Sequence, residues 1–125
     1  MKKLTLILGL VFCSYSWAEV EPINVSVLKK RIENPDHNLI LLDVRTITEY
    51  QSGHIKDSIN IPHGQLIENI DLLDQYRDLP IVVFCRSGRR AKLVINALIV
   101  NKFDQIVDLE GDMLAWKTSG LPVVQ

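Results

Sequence analysis

The sequence has little of what holds small or metal-bound proteins together. Two cysteines, Cys13 and Cys85, cannot build a disulfide framework or a four-cysteine metal site. The three histidines (His37, His54, His63) show no HExxH or other metal-ligand spacing, so no metal and no other cofactor is expected. Charge of one sign is also missing. Fourteen Lys+Arg face 15 Asp+Glu, and a net charge of −1 gives no electrostatic reason to expect nucleic acid or an anionic membrane as partner. There are no repeats, low-complexity tracts or linkers, which excludes collagen and coiled coil. What is present is 47% hydrophobic content in 125 residues. That is enough for one compact domain with a single core, too little for two, and too apolar for disorder.

Met1-Lys2-Lys3 carries positive charge, Leu4 to Phe12 is an almost unbroken apolar run, and Ser16-Trp17-Ala18 follows with small residues at both ends. This is the pattern of a cleaved secretory signal over residues 1–18, too short for a stable membrane anchor, with a single domain at 19–125. A buried first helix is the alternative, but the acidic, polar Glu19-Val20-Glu21-Pro22 begins immediately afterwards. A lipoprotein reading around Cys13 is weaker, because Val11-Phe12 precede a lipidated cysteine poorly. The mature protein is therefore expected in the periplasm. Cleavage removes two lysines and no acid, moving the net charge from −1 to −3, and it removes Cys13. Cys85 is then a lone cysteine in an exported chain: inert in the core, paired with another chain, or reactive.

Leu39 to Val44 and Pro80 to Phe84 are short continuous apolar runs, the pattern of parallel strands buried on both faces. Ile59 to Pro62 and Ile106 to Leu109 predict shorter strands, and Ile23-Asn24-Val25 an edge strand. Helices are predicted between them: Val27 to Glu33 capped by Ser26, Thr46 to Tyr50, Gln65 to Tyr76, Ala91 to Asn101, and Asp112 to Thr118. In the fourth of these, Ala91, Val94, Ile95, Leu98 and Ile99 share one face. Leu93, Ala97 and Val100 form a second apolar stripe, read as further core contact in preference to a partner surface. Alternating strands and helices predict an α/β domain with a mostly parallel sheet, whose ligands bind beyond the carboxyl ends of the strands.

Beyond the strand ending at Phe84 comes Cys85-Arg86-Ser87-Gly88-Arg89-Arg90, leading into a helix. Such a junction gathers unpaired backbone N–H groups and the positive end of the helix dipole around its first residue. A thiolate at Cys85 is stabilised by those donors and by the guanidinium groups. Gly88 lets the backbone curl where a Cβ would clash. From Cys85 to Lys92 there are four basic residues and no acid, so the cradle attracts a small anion. The bland alternatives are a structural thiol at a strand end and a solvated basic turn; the latter suits one of the three arginines, whichever points away.

These residues resemble single-domain rhodaneses of the sulfurtransferase superfamily. Leu41-Leu42-Asp43-Val44-Arg45, with Glu49-Tyr50 and Gly53-His54-Ile55, is similar to the family's first signature, and Ser58-Ile59-Asn60-Ile61-Pro62 to the segment after it. Cys85-Arg86-Ser87-Gly88-Arg89-Arg90-Ala91 is similar to the active-site loop. Leu109-Glu110-Gly111-Asp112-Met113, with Trp116 and Gly120-Leu121-Pro122, resembles the closing pattern. The resemblance implies a three-layer fold with a five-stranded parallel sheet flanked by helices. It also implies that Cys85 takes a sulfane sulfur from a thiosulfate-like anion, becomes a persulfide, and passes the sulfur to cyanide or a thiol, with a sulfur-accepting protein as a further partner. Arg86, Ser87, Gly88, Arg89 and Arg90 would bind the donor. One departure stands out: Asp112 occupies the place of the family's second closing glycine. It can cap the helix beginning there, and it can alter the rim of the site.

The other signature residues are read as structural: Asp43 and Arg45 as an ion pair, His54 as packing, Trp116 as core. Two other functions compete. Related folds use Cys-x5-Arg to hold phosphate, but Cys85 to Arg90 is Cys-x4-Arg, a tighter loop that suits sulfur better than a phosphatase or arsenate reductase substrate. A non-enzymatic persulfide carrier or partner-binding module is the other alternative.

Overall fold

The computed structural model describes Lys2, Lys3, Gly9 and residues 19–125. The predicted signal at 1–18, those three residues apart, and Cys13 lie outside the described residues.

The two apolar runs form the central strands, β2 (Ile40–Asp43) and β4 (Ile81–Phe84), paired in parallel. With β1 (Glu19–Ile23), β3 (Ile59–Asn60) and β5 (Gln105–Leu109) they make a five-stranded parallel sheet of order β1-β5-β4-β2-β3. Side chains alternate across it. Ile81 and Val83 point into a cluster with Leu66, Leu73, Val94 and Leu98, under helices α3 (His63–Glu68) and α4 (Arg89–Val100). Val82 and Phe84 point into a second cluster with Leu28, Met113 and Trp116, under α1 (Val25–Glu33) and α5 (Asp112–Thr118). Burial on both faces is why β4 reads as a continuous apolar run. Helix α2 (Ile47–Gln51) follows β2.

Four local expectations are corrected. The edge strand is Glu19–Ile23, in register with Gln105–Leu109, and not Ile23 to Val25. Its Pro22 is tolerated at the sheet edge, where no second neighbour needs its missing N–H. Because β1 stops at Ile23, the chain turns one residue later, and the cap of α1 is Asn24, not Ser26: its Oδ1 accepts the Val27 N–H at 2.9 Å. The single helix expected over 65–76 breaks at Asn69, where φ is −136°. A 3₁₀ turn over Ile70–Tyr76 follows, in which Ile70, Leu73 and Tyr76 recur every three residues against the core. On α4, Ile99 leaves the core face. The second stripe there is not core: Leu93 is 49% and Val100 77% exposed.

The structural readings of the signature residues hold. Asp43 and Arg45 are both buried and paired through Arg45 Nε and Nη2, the closest contact being 2.8 Å. Arg45 Nη2 also donates to the Gly53 carbonyl at 2.9 Å. His54 stacks on Tyr50 with ring centroids 3.7 Å apart. Trp116 is buried, and its Nε1–H donates to the Pro122 carbonyl at 2.9 Å.

Candidate active site

Cys85 follows the last residue of β4, at the carboxyl edge of the sheet, and is 1% exposed. The loop Cys85 to Gly88 turns back over it, and the Gly88 N–H donates to Cys85 Sγ at 3.0 Å. That curl needs φ of +115° at Gly88, a conformation L-residues rarely adopt. Helix α4 then starts at Arg89, two residues earlier than expected, so Arg89 and Arg90 form its first turn. The backbone N–H groups of Arg86, Ser87, Arg89 and Arg90 find no acceptor among the described residues. Unpaired donors in the same loop as a thiol, at the positive end of a helix, can stabilise a negatively charged sulfur.

The loop is braced from α5. Met113 N–H donates to the Cys85 carbonyl at 3.0 Å and Leu114 N–H to the Arg86 carbonyl at 3.1 Å. The Cys85 N–H donates to Asp112 Oδ1 at 2.9 Å. With the Gly88 N–H on Sγ, these bonds hold the loop backbone in place while its other N–H groups stay open, which favours preorganised charge stabilisation.

The three arginines separate. Arg90 is half-buried and forms a bidentate pair with Glu49, at 2.6 Å and 3.0 Å, while also lying in reach of the Cys85 thiol. Arg86 is exposed and lines a basin of about 240 Å³ with Arg45, Thr48, Glu49, Ser52, Leu114 and Lys117. Arg89 is exposed, makes no side-chain hydrogen bond among the described residues and lines neither of the basins beside the loop. Ser87 is exposed at the tip of the loop. A larger cavity, about 650 Å³, lies at the opposite ends of the strands and includes none of these residues.

Glu49 and Lys117 were not among the expected site residues. Glu49 carries a local signal, since Thr46 and Glu49 form a reciprocal capping box on α2. Its partner Arg90 lies 41 residues away, and no local pattern reveals that. Arg90, first, and Thr46 hold the Glu49 carboxyl down to about 2 from an ordinary 4.5, against burial. Because the folded pKa is the lower one, the pair stabilises the fold above about pH 4.5, and that contribution is lost as pH falls through about 2. We therefore expect Glu49→Gln to lose about 1 kcal/mol near neutral pH, discounted for the pair's partial exposure. Urea denaturation at several pH values should show the variant and native curves converging near pH 2.

The geometry sets a buried thiol in a donor-rich loop at the sheet edge of an α/β domain, and comparison with known proteins places that domain. The model of the rhodanese-like domain matches residues 24–119. The candidate sulfurtransferase YtwF of Bacillus subtilis is 36% identical over 104 residues, covering 83% of this chain and 97% of that protein. A sulfurtransferase of Allochromatium vinosum is 29% identical over 105 residues, covering 84% and 95%. The crystal structure of a rhodanese-related protein from Thermoplasma volcanium superposes with a TM-score of 0.72 at 35% identity, covering 83% of this chain and 97% of that one. The chain belongs to the rhodanese-like domain family.

Proposed function

We propose that this protein is a sulfurtransferase that carries a sulfane sulfur on Cys85, taking it from thiosulfate or a similar anion and passing it to a thiol or cyanide. The observation that carries the reading is the Gly88 N–H held 3.0 Å from Cys85 Sγ inside a loop of further unpaired donors. The sulfurtransferase names of the two relatives that this chain spans almost end to end support it.

In the proposed cycle, the Cys85 thiolate attacks the outer sulfur of thiosulfate. A new S–S bond forms to Sγ, and the donor's S–S bond breaks with its electron pair leaving on sulfite. The product is a persulfide anion that occupies the same N–H cradle. Cyanide or a thiolate then takes the outer sulfur and returns the Cys85 thiolate. No proton moves in the transfer itself, which is why backbone donors suffice and no general acid is needed. We further propose that residues 1–18 act as a cleaved leader that delivers this activity to the periplasm.

The test is an intact mass after incubation with thiosulfate, and again after cyanide. The reading predicts a gain of one sulfur atom, then its loss with release of thiocyanate. A sulfur that loads but resists cyanide would favour a dedicated carrier with a protein acceptor. No loading onto a free thiol would overturn the proposal. Arg90→Ala is expected to raise the KM for thiosulfate roughly tenfold or more, since it removes a charged donor and leaves Glu49 unpaired beside the site. An unchanged KM in steady-state kinetics would remove Arg90 from the donor site.

A further inference from the structure

Asp112 is an unusual residue for its position. It has φ of +54°, in the left-handed region that costs a non-glycine residue energy, and the rhodanese closing pattern supplies glycine there. Its side chain is nevertheless well placed. It is 4% exposed, and Oδ1 accepts the Cys85 N–H at 2.9 Å. Oδ2 lies 3.1 Å from where a Cβ on Gly88 would stand, so the carboxyl lies beside Gly88 in the loop that carries Cys85.

No cation neutralises it among the described residues. The groups that face it are the Cys85 thiol and N–H from the loop, and Asp108 from β5. Behind Asp108 stand Glu110 and Lys92, whose effects on Asp108 oppose each other. Across the thiol, the charge of Arg90 is already balanced by Glu49. A groove of about 430 Å³ on this flank of the loop is lined by Asp108, Glu110 and Asp112, with Lys92 alone opposing them. The basic basin at Arg86 and Lys117 lies on the other flank.

We propose that Asp112 sets the charge preference of the site, its buried carboxylate disfavouring doubly charged sulfur donors relative to singly charged ones. This inference rests on the sulfurtransferase reading and adds a specificity-determining residue to it. The physical basis is simple. A fixed negative charge with little water around it repels a dianion about twice as strongly as a monoanion at the same place. Burial, and secondarily Asp108, raise the Asp112 carboxyl above its ordinary range, while its Cys85 partners lower it. Discrimination therefore strengthens as pH rises through the Asp112 titration and relaxes as pH falls.

The test compares two donors that deliver the same sulfane sulfur. Thiosulfate carries two charges and leaves as sulfite; methanethiosulfonate carries one and leaves as methanesulfinate. The readout is the ratio of kcat/KM for thiosulfate to that for methanethiosulfonate, measured against pH. Asp112→Asn keeps the shape, tolerates positive φ, and still offers an oxygen to the Cys85 N–H. It should raise the ratio roughly tenfold at neutral pH and flatten its dependence on pH, whereas the native ratio falls as pH rises. A purely structural Asp112 would lower both rates together and leave the ratio unmoved, which would overturn the inference. If circular dichroism shows Asp112→Asn to be unfolded, Asp112→Gly, which suits φ of +54°, provides the same ratio. Failure of both donors to load the native Cys85 would overturn the sulfur-transfer reading, and this inference with it. Loading by both at an equal ratio in native and variant would overturn this inference alone.

Discussion

Cys85→Ser is expected to take up no sulfur from thiosulfate and to release no thiocyanate, with its fold intact. Every step of the proposed cycle forms or breaks a bond to Sγ, and a serine hydroxyl is neither ionised near neutral pH nor able to hold a sulfane sulfur. The variant should fold because the site needs little from sulfur beyond one hydrogen bond. Serine's oxygen fits the same buried position and can accept the Gly88 N–H that Sγ accepts at 3.0 Å. The Cys85 carbonyl and N–H keep their bonds to Met113 and Asp112, since both belong to the backbone. The stability cost should stay within about 1–2 kcal/mol, the range for exchanging one buried hydrogen-bonding group for another. Intact mass, thiocyanate release and a urea melt measured on the same preparation separate chemistry from folding. Sulfur that still loads would place the acceptor atom elsewhere in the chain, and the proposed cycle would fall.

Much of the fold and the centre of the site are legible in the sequence. The run Pro80 to Phe84 has the length and composition of a strand buried on both faces, and ligands of an α/β domain bind just beyond the carboxyl end of such a strand. Cysteine, glycine and arginine in that place carry the chemistry. The second partner of each pair stays hidden. Asp112 is visible as a departure from the closing pattern, but not as a carboxylate resting on the Cys85 N–H, because β5 and the turn into α5 must fold beside β4 to bring it there. The Glu49–Arg90 pair is hidden for the same reason, since α2 and α4 meet only in the folded chain. Local detail fails differently. Ser26 and Asn24 are both good caps, and only the end of β1 decides between them. Leu93 and Val100 are as apolar as their buried neighbours, and only the direction of the helix face shows that they are exposed.

The largest effect on stability should come from Arg45→Met. Asp43 is fully buried, and Arg45 supplies its only charged partner among the described residues; the same guanidinium satisfies the Gly53 carbonyl. Removing one member of such a pair strands a charge in the core, which costs about 3–5 kcal/mol in comparable cases. Methionine preserves most of the volume, so a cavity is not the cause. The damage should not stop at the core. Arg45 immediately precedes Thr46, the cap of α2, and that helix carries Glu49 to Arg90. A loosened α2 therefore frees Arg90 and should change the KM for thiosulfate even in molecules that remain folded. The double variant Asp43→Leu with Arg45→Met separates the two effects. Removing both charges together should recover most of the lost stability, because well-packed apolar groups often match or better a buried ion pair. It still leaves the Gly53 carbonyl without its donor and the residue-45 N–H without the Asp43 oxygen that accepts it, so recovery should fall about 1–2 kcal/mol short. Urea denaturation of the native chain, the single and the double variant gives the comparison. A single variant within about 1 kcal/mol of native would mean that water reaches Asp43 and that the pair is not the anchor of this corner of the sheet.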